Sequence, residues 1–135
     1  TVDGEAIDPS KVVTYRGILF TELPNLAWTF GSLRLSWTMR ANLAAEFIVR
    51  LLHHMDEQGA TSVLPTLGAD EAEMTVGPFI DPSNFNPGYA ERSRHRSPRS
   101  GSLPQWQLNL DYWNEATVLP TAPLDDGCLV FTQKG

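Results

Sequence analysis

A short strand that stops at a glycine and hands over to a long helix is the arrangement in this sequence best suited to chemistry. The run Leu26-Ala27-Trp28-Thr29-Phe30 ends at Gly31. Four residues later (Ser32, Leu33, Arg34, Leu35), Ser36 stands as the N-cap of a helix of about 20 residues, roughly 30 Å long, that opens with Trp37 and Thr38. The start of such a helix carries about half a positive charge and free N–H donors, so it suits an anionic or electron-rich ligand. Gly31 lets a bound molecule approach the backbone, because any side chain there would hold it away. Arg34 and Arg40 add planar donors that match phosphate or carboxylate, although a solvent-exposed loop position is the better fit for Arg34. An ordinary capped helix is the alternative reading of the same pattern.

Other candidate residues do not assemble a site. His53 and His54 are adjacent, so on a helix they point about 100° apart and do not share an ion. Cys128 has no neighbouring histidine or basic pair to lower its pKa. No Ser/His/Asp or Cys/His constellation and no paired carboxylates for acid–base work occur. No GxGxxG follows a strand, so no dinucleotide-binding turn lies within these residues. Arg92, Arg94, Arg96 and Arg99 crowd around His95, and read either as a solvated, salt-bridging loop or as contacts to a phosphate-bearing cofactor or acidic partner. Trp28, Trp37, Trp106 and Trp113 read as core or interface residues with bonded indole N–H groups, or as the lining of a cavity.

The elements that position the strand–helix junction follow from pattern. Val12–Tyr15 and Ile18–Phe20 flank Gly17 as a β-prone pair, and residues 26–30 read as a strand buried within a sheet. Met39, Leu43, Phe47, Leu51 and Met55, widened by Ile48 and Leu52, form the apolar stripe of a helix from Trp37 to about Gln58. Arg40, Glu46, Arg50, Asp56 and Glu57 fall elsewhere on the wheel, and Gly59 ends the helix. From Ala60 onward Leu64-Pro65, Gly77-Pro78, Asp81-Pro82 and Asn86-Pro87-Gly88 interrupt regular structure. A short helix within residues 103–115 and a last strand at Leu129–Thr132 complete the reading. This organisation divides the chain into residues 1–59 and a loop-rich extension, residues 60–135.

Composition is globular, with 41% hydrophobic and 19% charged residues, and a net charge of −6 recommends neither a nucleic acid nor a membrane as partner. A single cysteine fits a reducing compartment, the cytoplasm, and Thr-Val-Asp-Gly-Glu has neither the basic nor the apolar region of a signal peptide. No apolar run is long enough to cross a bilayer.

The order of many short motifs resembles the C-terminal part of the flavin-containing and Baeyer–Villiger monooxygenases. These are Tyr15-Arg16-Gly17, Pro24-Asn25-Leu26-Ala27, Phe30-Gly31, Ser36-Trp37-Thr38, Arg40-Ala41-Asn42-Leu43 and Arg50-Leu51-Leu52-His53-His54-Met55-Asp56. Phe85-Asn86-Pro87-Gly88-Tyr89, Asp111-Tyr112-Trp113 and Leu124-Asp125-Asp126-Gly127 continue the order. The resemblance implies an α/β fold in which residues 1–59 form the C-terminal edge of a Rossmann-like FAD-binding domain. It implies FAD and NADPH as cofactors of the intact enzyme, and oxygenation of a ketone, sulfide or amine through a flavin C4a-peroxide. The cofactor-binding residues it implies are Gly31, Ser32, Leu33, Arg34, Ser36, Trp37 and Thr38, with no catalytic residue in this piece. Its partners would be the missing N-terminal FAD- and NADPH-binding domains and a small-molecule substrate, and the piece alone would be inactive. Two departures stand out: Ser32-Leu33-Arg34-Leu35 replaces small or polar loop residues, and Pro98-Arg99-Ser100-Gly101 stands where the family has a Pro-Lys-Gln-Gly step. The rival expectation is an independent small α+β interaction module without enzymatic activity.

Overall fold

Tyr15-Arg16-Gly17-Ile18 turns the chain with both central residues at positive φ (52° at Arg16, 63° at Gly17), and the Ile18 N–H donates to the Tyr15 carbonyl at 3.0 Å. This is the backbone twist that joins two antiparallel strands most tightly. In the computed structural model of the chain, which describes every residue except 134, the turn links β1 (Thr14–Tyr15) to β2 (Leu19–Phe20). A third strand, β3 (Leu23–Ala27), pairs antiparallel with β2 through an irregular register.

The strand expected at residues 26–30 is displaced towards the N-terminus and is not buried. β3 lies at the sheet edge with Leu26 46% exposed, and Trp28–Phe30 is extended chain beyond it. The apolar residues that suggested burial in mid-sheet instead gather as an aromatic cluster. Trp28 packs on Phe20 and Phe79, and Phe30 packs on Phe79 and Trp37, with ring centres 5.0–5.3 Å apart.

The long helix α1 spans Trp37–Gln58 and ends at Gly59, which takes the left-handed conformation that suits a helix C-terminus. Ser36 occupies the N-cap, but its hydroxyl pairs with that of Thr38 at 3.1 Å rather than with a backbone N–H. Ala44, Phe47, Leu51 and Met55 face the core, where they meet Tyr15, Ile18 and Leu19 of the hairpin, Trp106 and Leu119. The buried face is rotated from the expected stripe. Arg40 is inside it, 2% exposed, and Leu52 is outside it, 52% exposed.

The chain beyond α1 packs back on this helix. β4 (Ala60–Pro65) pairs antiparallel with the terminal strand β7 (Leu129–Gln133), and β5 (Val76–Pro78) pairs with β6 (Arg99–Gly101). Two short helices, α2 (Gly88–Ser93) and α3 (Tyr112–Val118), complete a mixed α/β fold of small sheets and helices. Asp111 caps α3 by accepting from the N–H groups of Trp113 and Asn114. No helix among the described residues is long and apolar enough to cross a membrane.

Candidate functional site

Gly31 is buried, and the space a side chain would take is already filled. A Cβ there would collide with the Trp37 ring and the Trp37 carbonyl oxygen. The close approach that this glycine permits is therefore to the first residue of α1. Ser32 is buried beside it; its Oγ accepts from the Leu35 N–H at 3.1 Å, and its own N–H donates to the Trp37 carbonyl at 3.3 Å. Together they fold the loop into a tight return that sets the position of the helix start.

The remaining expected cofactor residues lie at or near the surface. Ser36 and Thr38 are exposed and Trp37 is 50% exposed. The Trp37 and Thr38 N–H groups have no acceptor among the described residues. This leaves the positive end of a 22-residue helix open at the surface. Arg34 is exposed and donates to the Asn84 carbonyl at 2.6 Å, on the wall of a polar cavity of about 490 Å³.

Leu33 and Trp37 also form part of a second, apolar cavity of about 310 Å³, with Trp28, Phe30, Phe79 and Arg94 among its other lining residues. Sequence reasoning missed the second wall of this cavity, because residues 78–94 come from a stretch dominated by turn signals. The aromatic residues between those signals, Phe79, Phe85 and Tyr89, were the available hint.

Arg40 sits directly behind the helix start. Its Nη1 donates to the Phe30 carbonyl at 2.6 Å, and its Nη2 donates to the Arg16 carbonyl at 2.9 Å and to Glu115 Oε1 at 3.1 Å. One guanidinium thus fixes the end of the aromatic segment, the hairpin turn and α3. Gly17 makes room for it, since a Cβ there would lie 3.1 Å from Arg40 Nη2 and 2.8 Å from Leu108 Cδ1. Burial pushes the Glu115 carboxyl above its ordinary range, against the pull of the guanidinium; burial likewise lowers Arg40. Arg40 Nε is buried without a partner, which marks the cost of placing a cation here.

A separate polar hub closes the far side. Glu71 Oε1 accepts from Gln105 Nε2 at 2.7 Å, Trp106 Nε1 at 2.9 Å and Cys128 Sγ at 3.2 Å, while Oε2 accepts from the Gly68 N–H at 2.8 Å. Desolvation raises this carboxyl, but the Trp106, Gly68, Gln105 and Cys128 donors outweigh it and hold the pKa down at about 2. Burial and the bond to Glu71 push the Cys128 thiol up to about 12, so it is unsuited to nucleophilic work.

Along nearly its whole length the chain is similar to one portion of several FAD-containing monooxygenases. The chain is 36% identical over 135 residues to the FAD-containing monooxygenase EthA of Mycobacterium tuberculosis, which covers 99% of this chain and 26% of that relative. It is 36% identical to EthA of Mycolicibacterium smegmatis over 133 residues, 98% of this chain and 26% of the relative. It is 33% identical to the "Probable FAD-binding monooxygenase AlmA" of Acinetobacter baylyi over 134 residues, 99% of this chain and again 26% of the relative. The chain therefore spans about a quarter of the length of these relatives. No protein-family profile and no solved structure matches it.

Proposed function

We propose that this chain forms the C-terminal flank of the flavin site in an FAD- and NADPH-dependent monooxygenase that oxygenates a small organic substrate, a ketone, sulfide or amine. In this reading residues 1–59 close the edge of a Rossmann-like FAD-binding domain, and residues 60–135 wrap back over the other domains. The observation that carries it is the open start of α1, whose Trp37 and Thr38 N–H groups lack acceptors among the described residues, beside an aromatic cavity.

The residues present fit a flavin edge on chemical grounds. Ser36, Trp37 and Thr38 offer two free amides, two hydroxyls and an exposed indole at the positive end of a helix. Such donors favour a ring system that gains negative charge on reduction. Gly31 and Ser32 hold the return of the loop, Leu33 adds apolar contact, and Arg34 borders the site from the adjoining polar cavity. When bound, FAD reduced by NADPH would supply the oxygen chemistry. The chain's own part is to hold the donors in place, which Arg40 does from behind, and to screen the site from water with Trp28, Phe30 and Trp37. No residue of this chain is assigned a catalytic role, so the chain is inactive alone.

The outer face of α1 supports the partner assignment. Ala45, Val49 and Leu52 lie exposed on one side of the helix, Val49 at 51% and Leu52 at 52%, a surface suited to the rest of an FAD-binding domain. The second reading, an independent interaction module, draws on the buried core that the chain builds from its own residues. The test is flavin retention after gel filtration of the chain mixed with the FAD- and NADPH-binding portion of a relative, each component alone serving as control. Retention that requires the chain supports the flavin flank; retention by the partner alone, unchanged by a folded and associated chain, refutes it.

A further inference from the structure

The apolar cavity beside Trp37 has a chemical polarity of its own. Trp28, Phe30, Leu33, Trp37 and Phe79 supply a wall of rings and one aliphatic side chain. Among the described residues lining the cavity, Arg94 is the charged one, and no carboxylate faces it. The Arg94 guanidinium makes one long contact, to Asn86 Oδ1 at 3.5 Å, which leaves most of its donors without a protein acceptor among the described residues. Arg94 is thus a positive charge in the lining of an apolar cavity, in a chain of net charge −6.

An aromatic cavity with one under-used guanidinium in its lining recognises a molecule with an apolar body and an anionic end. The rings take the body by area burial and edge or face contact. The planar fork of the arginine takes a carboxylate in two parallel hydrogen bonds. A volume of about 310 Å³ lies at the lower end of the range of small-molecule sites, which suits a small aryl or alkyl acid rather than a nucleotide.

We propose that this cavity binds a small apolar carboxylate, with its body among Trp28, Phe30, Trp37 and Phe79 and its carboxylate on Arg94. The ligand chemistry stands on the cavity itself. Its further identification as the substrate side of the monooxygenase rests on the flavin reading, because Trp37 belongs both to this cavity and to the open helix start.

The test uses the full chain and two probes of the same shape, 4-butylbenzoate and its neutral counterpart 4-butylbenzamide, titrated calorimetrically and by the fluorescence of Trp28 and Trp37. The benzoate is expected to bind at least tenfold more tightly than the amide. Arg94→Gln should remove that preference while leaving amide binding unchanged. Ala90→Phe, which fills the cavity from α2, should abolish binding of both, with circular dichroism confirming that each variant remains folded. Equal binding of acid and amide, insensitive to Arg94→Gln, overturns the anionic assignment. Failure of a folded chain to bind either probe overturns the site altogether. The flavin mixing experiment, repeated with Ala90→Phe, keeps the two readings apart: flavin retention without benzoate binding refutes only this cavity, and benzoate binding without flavin retention refutes only the flavin flank.

Discussion

The two sides of α1 differ in how complete they are. Behind the helix, Arg40 ties three separated segments together through two carbonyls and a carboxylate, and Arg50 donates to the carbonyls of Leu119, Pro120 and Ala122 at 2.6–2.9 Å. In front, the helix presents Trp37 and Thr38 amides that have no acceptor among the described residues, a half-exposed tryptophan, and Val49 and Leu52 in solvent. Two arginines on the inner side each hold two or more backbone carbonyls, whereas the Arg94 guanidinium makes one long contact among the described residues. The inner side is finished by this chain's own residues, and the outer side leaves helix amides and apolar side chains at the surface.

The largest expected effect comes from breaking the finished side. Arg40→Met leaves Glu115 buried without its partner, and such a loss costs about 3–5 kcal/mol. Urea denaturation should therefore show a chain that is largely unfolded or strongly shifted in midpoint, and the double variant Arg40→Met with Glu115→Leu should recover part of the loss. A full-strength Arg40→Met would mean that this node contributes nothing.

Glu71→Gln comes next. Replacing a carboxylate that accepts four hydrogen bonds is expected to cost about 1.5–3 kcal/mol at neutral pH. Because the folded pKa is held at about 2, below the ordinary 4.5, the stabilisation is fully present above pH 4.5 and fades as the pH falls through 2. Urea midpoints measured from pH 7 to pH 2 should decline in the parent chain, and Glu71→Gln should flatten that part of the decline.

Gly31→Ala sharpens the comparison at the junction of the two sides. The new methyl group meets Trp37 well inside contact distance, so a cost of about 1–3 kcal/mol is expected, read as a lower thermal midpoint and altered tryptophan fluorescence. The smallest effect on stability should come from Leu52→Lys on the open side. The chain's own stability should change by no more than about 0.5 kcal/mol, while association with the dinucleotide-binding portion of a relative, followed by gel filtration, should weaken.

Much of the framework was legible in sequence because local rules determine it. The Arg16-Gly17 turn, the helix ending at Gly59 and the terminal strand all follow from turn chemistry, periodicity and β-propensity. What was not legible depended on contacts distant in sequence. Arg40 reads as a donor off the apolar stripe, suited to phosphate or carboxylate, until the Phe30 and Arg16 carbonyls and Glu115 converge on it. Trp28 and Phe30 read as a buried strand because their ring partners, Phe79 above all, come from a segment that pattern marks only as turns. Gly31 was legible as a position needing close approach, but the residue that approaches it is Trp37.

The most direct test is amide hydrogen exchange at Trp37 and Thr38, measured in the chain alone and in its mixture with the dinucleotide-binding portion of a relative, with and without FAD. Both amides should exchange rapidly in the chain alone, where they have no acceptor, and slow by at least tenfold only when partner and FAD are both present. The amides of Ala44 to Leu51, bonded within the helix, should already be protected in the chain alone. Equal protection of Trp37 and Thr38 in every sample, in a folded chain that binds its partner, would contradict the assignment of this helix start to the flavin.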